Sequence, residues 1–231
     1  MDVLRRLGGE GAKEGTVVVA DEQTSGRGRF RREWITMPRQ DLLLSILFKP
    51  RPALAGELQI IAALAVADAV DIHTGRQTRI KWPNDILVDG AKIAGVLVEG
   101  TQDAGGLSVV VGVGLNVNSE LSARQSGGLA AVSMHDVSGR LFRRVEVLRT
   151  LLGSLDGYYA ALKLGETLVP PWRSRLETIG KRVTVRVGPP DAPQKVVIGV
   201  AEDVDASGRL LVRETNGRLS PMAAGEVTLQ S

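Results

Sequence analysis

Apolar positions fall into short β-branched runs separated by glycine-rich turns, with longer stretches at helical spacing between them. Residues 16–20 (TVVVA) and Leu42–Phe48 (LLLSILF) read as strands, the second buried, joined by a polar, glycine-rich loop. Ahead of them, Arg5-Arg6-Leu7-Gly8-Gly9 reads as the end of a helix with a glycine stop. Residues 53–73 follow two prolines and carry Leu58, Ile61, Ala62, Ala65, Val66 and Ala69 at helical spacing, which predicts the first long helix. Four short runs come next, at 79–82, 86–88, 93–100 and 107–115, with turn signals at Pro83-Asn84-Asp85, Asp89-Gly90 and Gly105-Gly106. They predict an antiparallel meander. Residues 118–140, rich in Ser, Gly and Ala, hold no sustained period and read as a long functional loop, whereas 145–164 and 172–179 read as helices. From Lys181 onward the pattern changes to strands about ten residues apart with Gly-Pro-Pro, Ser-Gly and Asn-Gly turns, as in a small β-barrel. The expected fold class is α+β: a mixed, largely antiparallel sheet with helices over residues 1–180, then a small β-domain over 181–231.

Composition narrows the classes. At 231 residues, 43% hydrophobic and 24% charged, the chain is an ordinary globular protein of one to two domains, neither disordered nor fibrous. No uninterrupted apolar run reaches the ~18 residues of a membrane span, and the first 15 residues lack the apolar core of a secretory signal. A cytoplasmic protein with no membrane partner is expected. The absence of cysteine excludes disulfides, a thiol nucleophile and thiolate metal sites. His73 and His135 are too few for a histidine metal centre, so any metal is expected on oxygen ligands. A net charge of +3 and 3% aromatics are mild for a nucleic-acid binder that stacks bases. Arg27, Arg29, Arg31 and Arg32 nevertheless cluster within six residues, which suits a small anionic ligand.

That cluster lies in residues 23–34 (QTSGRGRFRREW). Glycines at 26 and 28 permit positive φ and let backbone N–H groups approach an anion, while Arg27, Arg29 and Arg32 can neutralise phosphate or carboxylate with forked hydrogen bonds. A solvated basic hairpin loop would carry the same residues. In residues 81–85 (KWPND) a strand leads into a Pro-Asn-Asp turn, where Asp85 could hold Mg²⁺ and Asn84 could bond a nucleotide, although the tripeptide alone is an ordinary turn. Lys92 opens an apolar strand (KIAGVLVEG), either projecting into a site or snorkelling while Ile93, Val96 and Val98 pack. The segment VVVGVGLNVN delivers Asn116 and Asn118 through two glycines, explained by close approach to a ligand or by tight strand packing.

Taken in order, GRGRxxRxW, KWPND, K-I-A-G-hydrophobic-L-V-E and G-x-G-x-N-x-N resemble the catalytic domain of biotin protein ligases. The terminal GEVTLQ resembles that family's small C-terminal SH3-like domain. The resemblance implies a monofunctional ligase that activates biotin with ATP as biotinyl-5′-AMP, then transfers it to a lysine of a biotin carboxyl carrier protein. It implies that Gln23, Gly26, Arg27, Gly28, Arg29, Lys92 and Gly95 meet biotin. Arg29, Arg32, Trp34, Asn84, Asp85 and Asn116 would meet ATP, with Asp85 on Mg²⁺. Lys92, Arg27 and Arg29 would be catalytic, Lys92 bridging the biotin carboxylate and the α-phosphate.

Two departures from the family pattern matter. Members usually carry a Ser/Thr-Asn stretch just upstream of the first helix that closes over the biotin ring, whereas this chain starts at Met1-Asp2-Val3-Leu4, inside the expected helix. The expectation is that such a stretch lies upstream of Met1 in a longer gene product. Phe30-Arg31 also stands where many relatives have a small residue. No N-terminal winged helix precedes the motifs, so no DNA partner is expected, while a homodimer stays open. A lipoate ligase or octanoyltransferase would share the fold but lack the GRGRxxRxW set. A non-catalytic nucleic-acid-binding protein is disfavoured by the low aromatic content.

Overall fold

The computed structural model describes the chain except residues 30–33, 35, 104–105, 122–124, 127–128, 189–193 and 231. Helix α1 (Asp2–Gly9) leads to β1 (Val17–Ala20) and, beyond a loop, to β2 (Leu42–Phe48). Every residue of β2 is buried because the sheet is covered on both faces. Leu4 of α1 packs with Leu47 and Val110 on one side, and α2 (Leu58–Thr74) covers the other. The meander forms as its turns predict: β3 (Arg79–Lys81), β4 (Asp85–Val88), β5 (Ala91–Asp103) and β6 (Gly106–Leu115). Asp89 and Gly90 adopt φ of 50° and 77°, the left-handed pair that a two-residue hairpin turn requires. The six strands run β1-β2-β6-β5-β4-β3, every neighbouring pair antiparallel.

Three elements differ from expectation. The long helix begins at Leu58, because Pro52–Glu57 winds as a 3-10 turn, a common form of helix entry. It is apolar all round, since the sheet packs on one side and α4 (Arg144–Lys163) on another. With its 3-10 turn it makes a 23-residue apolar stretch, long enough by composition to cross a membrane, and most of it is buried inside the protein. Residues 118–140 hold short strands β7 (Gln125–Ser126) and β8 (Leu129–Ala130) and helix α3 (Met134–Ser138). Ser133 and Asp136 form a capping box that starts α3. The helix expected at 172–179 is α5 (Val169–Arg175): Pro170 and Pro171 fit its first turn, and Leu176 turns extended to bridge Ile80.

The chain closes with β9 (Arg182–Val187), β10 (Lys195–Val204), β11 (Leu210–Glu214), β12 (Leu219–Met222) and β13 (Glu226–Gln230). Their antiparallel order is β12-β11-β10-β9-β13. Strand alternation turns Val183, Val185 and Val197 inward, where they join the hydrophobic cluster that contains α2 and Trp172. The second sheet is therefore docked on the first layer, which brings the β12–β13 turn to one end of the six-stranded sheet.

Candidate active site

The loop after β1, the β3–β4 turn, the starts of β5 and β13 and the end of β6 line one cleft of about 140 Å³. Its floor is glycine. Gly95 and Gly114 are register partners on β5 and β6, and the Trp34 indole lies across both. A Cβ at Gly114 would stand 2.5 Å from Trp34 Cε2, and one at Gly95 would stand 3.2 Å from Cζ3. Gly112 leaves room for the Met1 thioether, whose sulfur would lie 2.7 Å from an added Cβ. The glycines of VVVGVGLNVN thus admit side chains from other segments. Among the described residues the buried Trp34 Nε1 has no hydrogen-bond partner.

Lys92 points into the cleft, its side chain only 11% exposed. Its Nζ lies 2.7 Å from Asp85 Oδ1 and 5.2 Å from the centre of the Trp34 ring. The strand pattern shows an isolated ammonium; the structure supplies the carboxylate that neutralises it. Asp85 opens β4 directly opposite Gly95, so the pair spans neighbouring strands. Two charges so little exposed carry a desolvation penalty, which an incoming anion offsets by adding charge for Lys92 to meet. Arg29 Nη1 donates to Gly225 O at 3.1 Å and to Asn84 Oδ1 at 3.4 Å. Burial pulls the Arg29 guanidinium below its ordinary pKa, opposed by the Asp85 and Glu226 carboxylates. It stays charged at neutral pH. Asn84 is itself stitched to β5, its Nδ2 donating to Val96 O at 3.0 Å.

Arg27 reaches the rim, where it donates to Asp2 at 2.6 Å, and Gln23 and Gly28 line the same wall. Two expected residues do not reach the cleft. Gly26 is needed because the loop folds back on itself: Trp34 N donates to Gly26 O at 3.0 Å, and a Cβ there would meet Trp34 O at 2.2 Å. Its φ is not in the left-handed region, so close approach and not positive φ selects glycine. Asn116 is buried beside the cleft instead of facing it; its Nδ2 donates to Val132 O at 3.0 Å and so ties residues 131–134 to β6. Asn118 exchanges two hydrogen bonds with the Phe142 backbone. Arg32 lies outside the described residues.

Sequence reading missed Lys81, buried in the cleft wall, together with Asp2, Gly225 and Glu226. Lys81 had a signal, as it heads KWPND, whereas Gly225 and Glu226 are far away in the chain and reach the cleft only through docking of the second sheet. Among the described residues no three His, Asp or Glu side chains could together hold a metal. A single carboxylate, Asp85, fits the way Mg²⁺ binds, by one or two carboxylates plus substrate phosphates.

The layered sheet carries a glycine-floored cleft lined by Lys92, Arg29 and Arg27, side chains whose positive charge suits anions. Residues 3–116 match the biotin/lipoate A/B protein ligase family, and residues 178–229 match the biotin protein ligase C-terminal domain. The chain is 34% identical to a biotin–(acetyl-CoA-carboxylase) ligase of Mycobacterium tuberculosis, covering 98% of this chain and 83% of that one. It is 32% identical to the Paracoccus denitrificans ligase of the same name, covering 87% and 85%. Among solved structures it superposes on the Aquifex aeolicus biotin protein ligase in complex with biotin and ATP with a TM-score of 0.80, at 26% identity, covering 98% and 93% of the two chains. The chain belongs to the biotin protein ligase family.

Proposed function

We propose that this chain is an ATP-dependent biotin protein ligase working through the cleft around Lys92. The observation that carries this reading is the convergence of Lys92, paired with Asp85, and Arg29, anchored on Gly225 O and Asn84 Oδ1, beside a floor of Gly95 and Gly114 beneath the Trp34 indole. Two anions must meet in the first step. The biotin carboxylate oxygen attacks the α-phosphorus of ATP, the P–O bond to pyrophosphate breaks, and biotinyl-5′-AMP forms. Like charges about 4 Å apart repel strongly once water is excluded, and a buried ammonium lowers that barrier by lying between them. Lys92 takes this place, exchanging its bond to Asp85 for the two substrates.

Arg27, with Gln23 and Gly28, serves the biotin side. Arg29 and Asn84 serve the phosphates, and Trp34, lying across the glycine floor, packs near the adenine. Asp85 is the carboxylate that would hold Mg²⁺, which would supply charge neutralisation at the ATP phosphates. In the second step the neutral amine of a carrier lysine attacks the acyl carbon, AMP leaves, and the amine's proton is lost to solvent. No covalent enzyme intermediate is needed, so the chain contributes positioning and charge. The partner is the biotin carboxyl carrier protein of a biotin-dependent carboxylase, met in the cytoplasm without DNA or membrane, and a homodimer is compatible with this reading. We divide the chain into a catalytic part, residues 1–180, and a second domain, 181–231.

Biotin-dependent exchange of labelled pyrophosphate into ATP tests the reading. Exchange that requires biotin, and is not supported by lipoate, is the expected result; exchange without either acid, or with lipoate alone, overturns it.

A further inference from the structure

The β3–β4 turn that presents Asn84 and Asp85 is held from behind by residues outside every motif. Trp82, at the head of the turn, is buried, and its backbone N–H donates to Thr178 Oγ1 at 2.9 Å. Its indole Nε1 donates to Gly208 O, on the β10–β11 turn, at 3.1 Å. Thr178 is fully buried in the connection between α5 and β9, and that connection is fastened on both sides. Glu177 N donates to Ile80 O at 2.9 Å, and Gly180 N donates to Ala201 O at 2.7 Å. A valine would satisfy the apolar surroundings of residue 178 equally well in volume. The hydroxyl is what accepts from an amide that would otherwise be orphaned in a buried site.

We propose that Thr178 is a positioning residue: it sets the turn that carries Asn84 and Asp85 through the Trp82 amide, while the Gly208 carbonyl fixes the same tryptophan from the second sheet. This rests on the adenylation reading above, which places Asn84 and Asp85 on the nucleotide side. Loss of the hydroxyl therefore misplaces those two groups and leaves the β5–β6 floor where it is, so ATP recognition suffers and biotin recognition does not.

The test uses the full chain and compares wild type with Thr178→Val, Thr178→Ser and Trp82→Phe. Biotin-dependent ATP–pyrophosphate exchange is measured at a temperature where every variant is folded. Thr178→Val is expected to raise the KM for ATP about tenfold, as the loss of one buried hydrogen bond would, with the KM for biotin unchanged. Thr178→Ser restores the wild-type value, and Trp82→Phe shifts the KM for ATP in the same direction. Should Thr178→Val not fold, Trp82→Phe and the amide hydrogen exchange of residues 82, 84 and 85 carry the test; faster exchange there than in wild type is expected. The proposal is overturned by an unchanged KM for ATP, by equal rises for ATP and biotin, by a serine variant as damaged as the valine one, or by unchanged amide exchange in Trp82→Phe. A wild-type chain without biotin-dependent exchange overturns the ligase reading instead, and the amide exchange still reports on whether Trp82 and its partners hold the turn.

Discussion

Gly114→Ala isolates what the glycine floor does. An added Cβ stands 2.5 Å from Trp34 Cε2, 2.6 Å from Nε1 and 2.8 Å from Cζ2, whereas carbon atoms in contact sit near 3.5–4.0 Å. The indole must retreat by about 1 Å, and as a rigid ring it moves as one body, carrying its face away from the Lys92 ammonium. Overpacking of this kind costs about 1–3 kcal/mol. Because Trp34 lies on a loop at the cleft and not in the helix-covered core, the cost falls mainly on ligand binding. At 1.4 kcal/mol per decade, kcat/KM for adenylation drops roughly five- to a hundredfold, with little change in melting temperature. Gly112→Ala is the control. Its Cβ meets only the end of the Met1 side chain, an unbranched thioether that swings aside at small cost. The assay is biotin-dependent pyrophosphate exchange alongside thermal melting. Equal losses in the two variants, or a Gly114→Ala enzyme with wild-type kcat/KM, would refute the reasoning.

Lys92→Ala is expected to reduce adenylation at least a hundredfold, as loss of a preorganised charge does. It also strands the part-buried Asp85, so the melting temperature falls; Lys92→Met combined with Asp85→Asn recovers the stability and stays inactive, and recovery of activity would remove Lys92 from the mechanism. Asn116→Ala should lower stability by about 1 kcal/mol through the lost bond to Val132, with the KM for ATP unchanged, measured by denaturant unfolding and exchange kinetics. Tyr158 has its pKa raised from 10.0 to about 12 by burial and by its hydrogen bond to Asp68. The folded state thus holds the proton more tightly than the unfolded one, so this contribution is complete below pH 10 and is lost as pH rises towards 12. Tyr158→Phe should melt with a flatter pH dependence over that range, and identical profiles would count against the assignment.

What the sequence disclosed and what it hid divide along a physical line. The β4–β5 turn was legible because Asp89-Gly90 is a local instruction, readable from two residues that must both adopt positive φ. Lys92 was legible because one charge in an apolar strand is costly unless something uses it. Its partner Asp85 was not. The two are seven residues apart in the chain, and a register shift between Ile86 and Leu87 decides which β5 residue Asp85 faces. Helix α2 was legible as a helix from its apolar spacing, but periodicity does not reveal that α4 covers the side the sheet leaves open. Asn116 is read from its residue type as a nucleotide contact; in the fold its Nδ2 donates to Val132 O, a structural bond that residue type does not announce.

The second sheet explains why motif reading stops short of the whole site. Arg29 is anchored on Gly225 O and flanked by Glu226, and Trp82 is anchored on Gly208 O, so both walls of the cleft lean on segments more than a hundred residues further along. Neither carbonyl leaves a trace in sequence, since any residue offers one. Arg29 is therefore local in sequence but not in support: its aim depends on a docked sheet whose own signals, alternating valines and short glycine turns, name no partner. A variant that loosens that docking, such as Val185→Ala beneath the β12–β13 turn, is expected to weaken ATP use before it unfolds the catalytic part. Gly225 already lies so close to Val185 that a Cβ there would come within 2.6 Å of its Cγ1, so removing the two methyl groups takes support directly from the carbonyl that holds Arg29. Exchange kinetics at increasing urea would show the KM for ATP rising ahead of the unfolding transition in the variant but not in wild type; coincident curves would mean that the second sheet stabilises the fold without aiming the arginine.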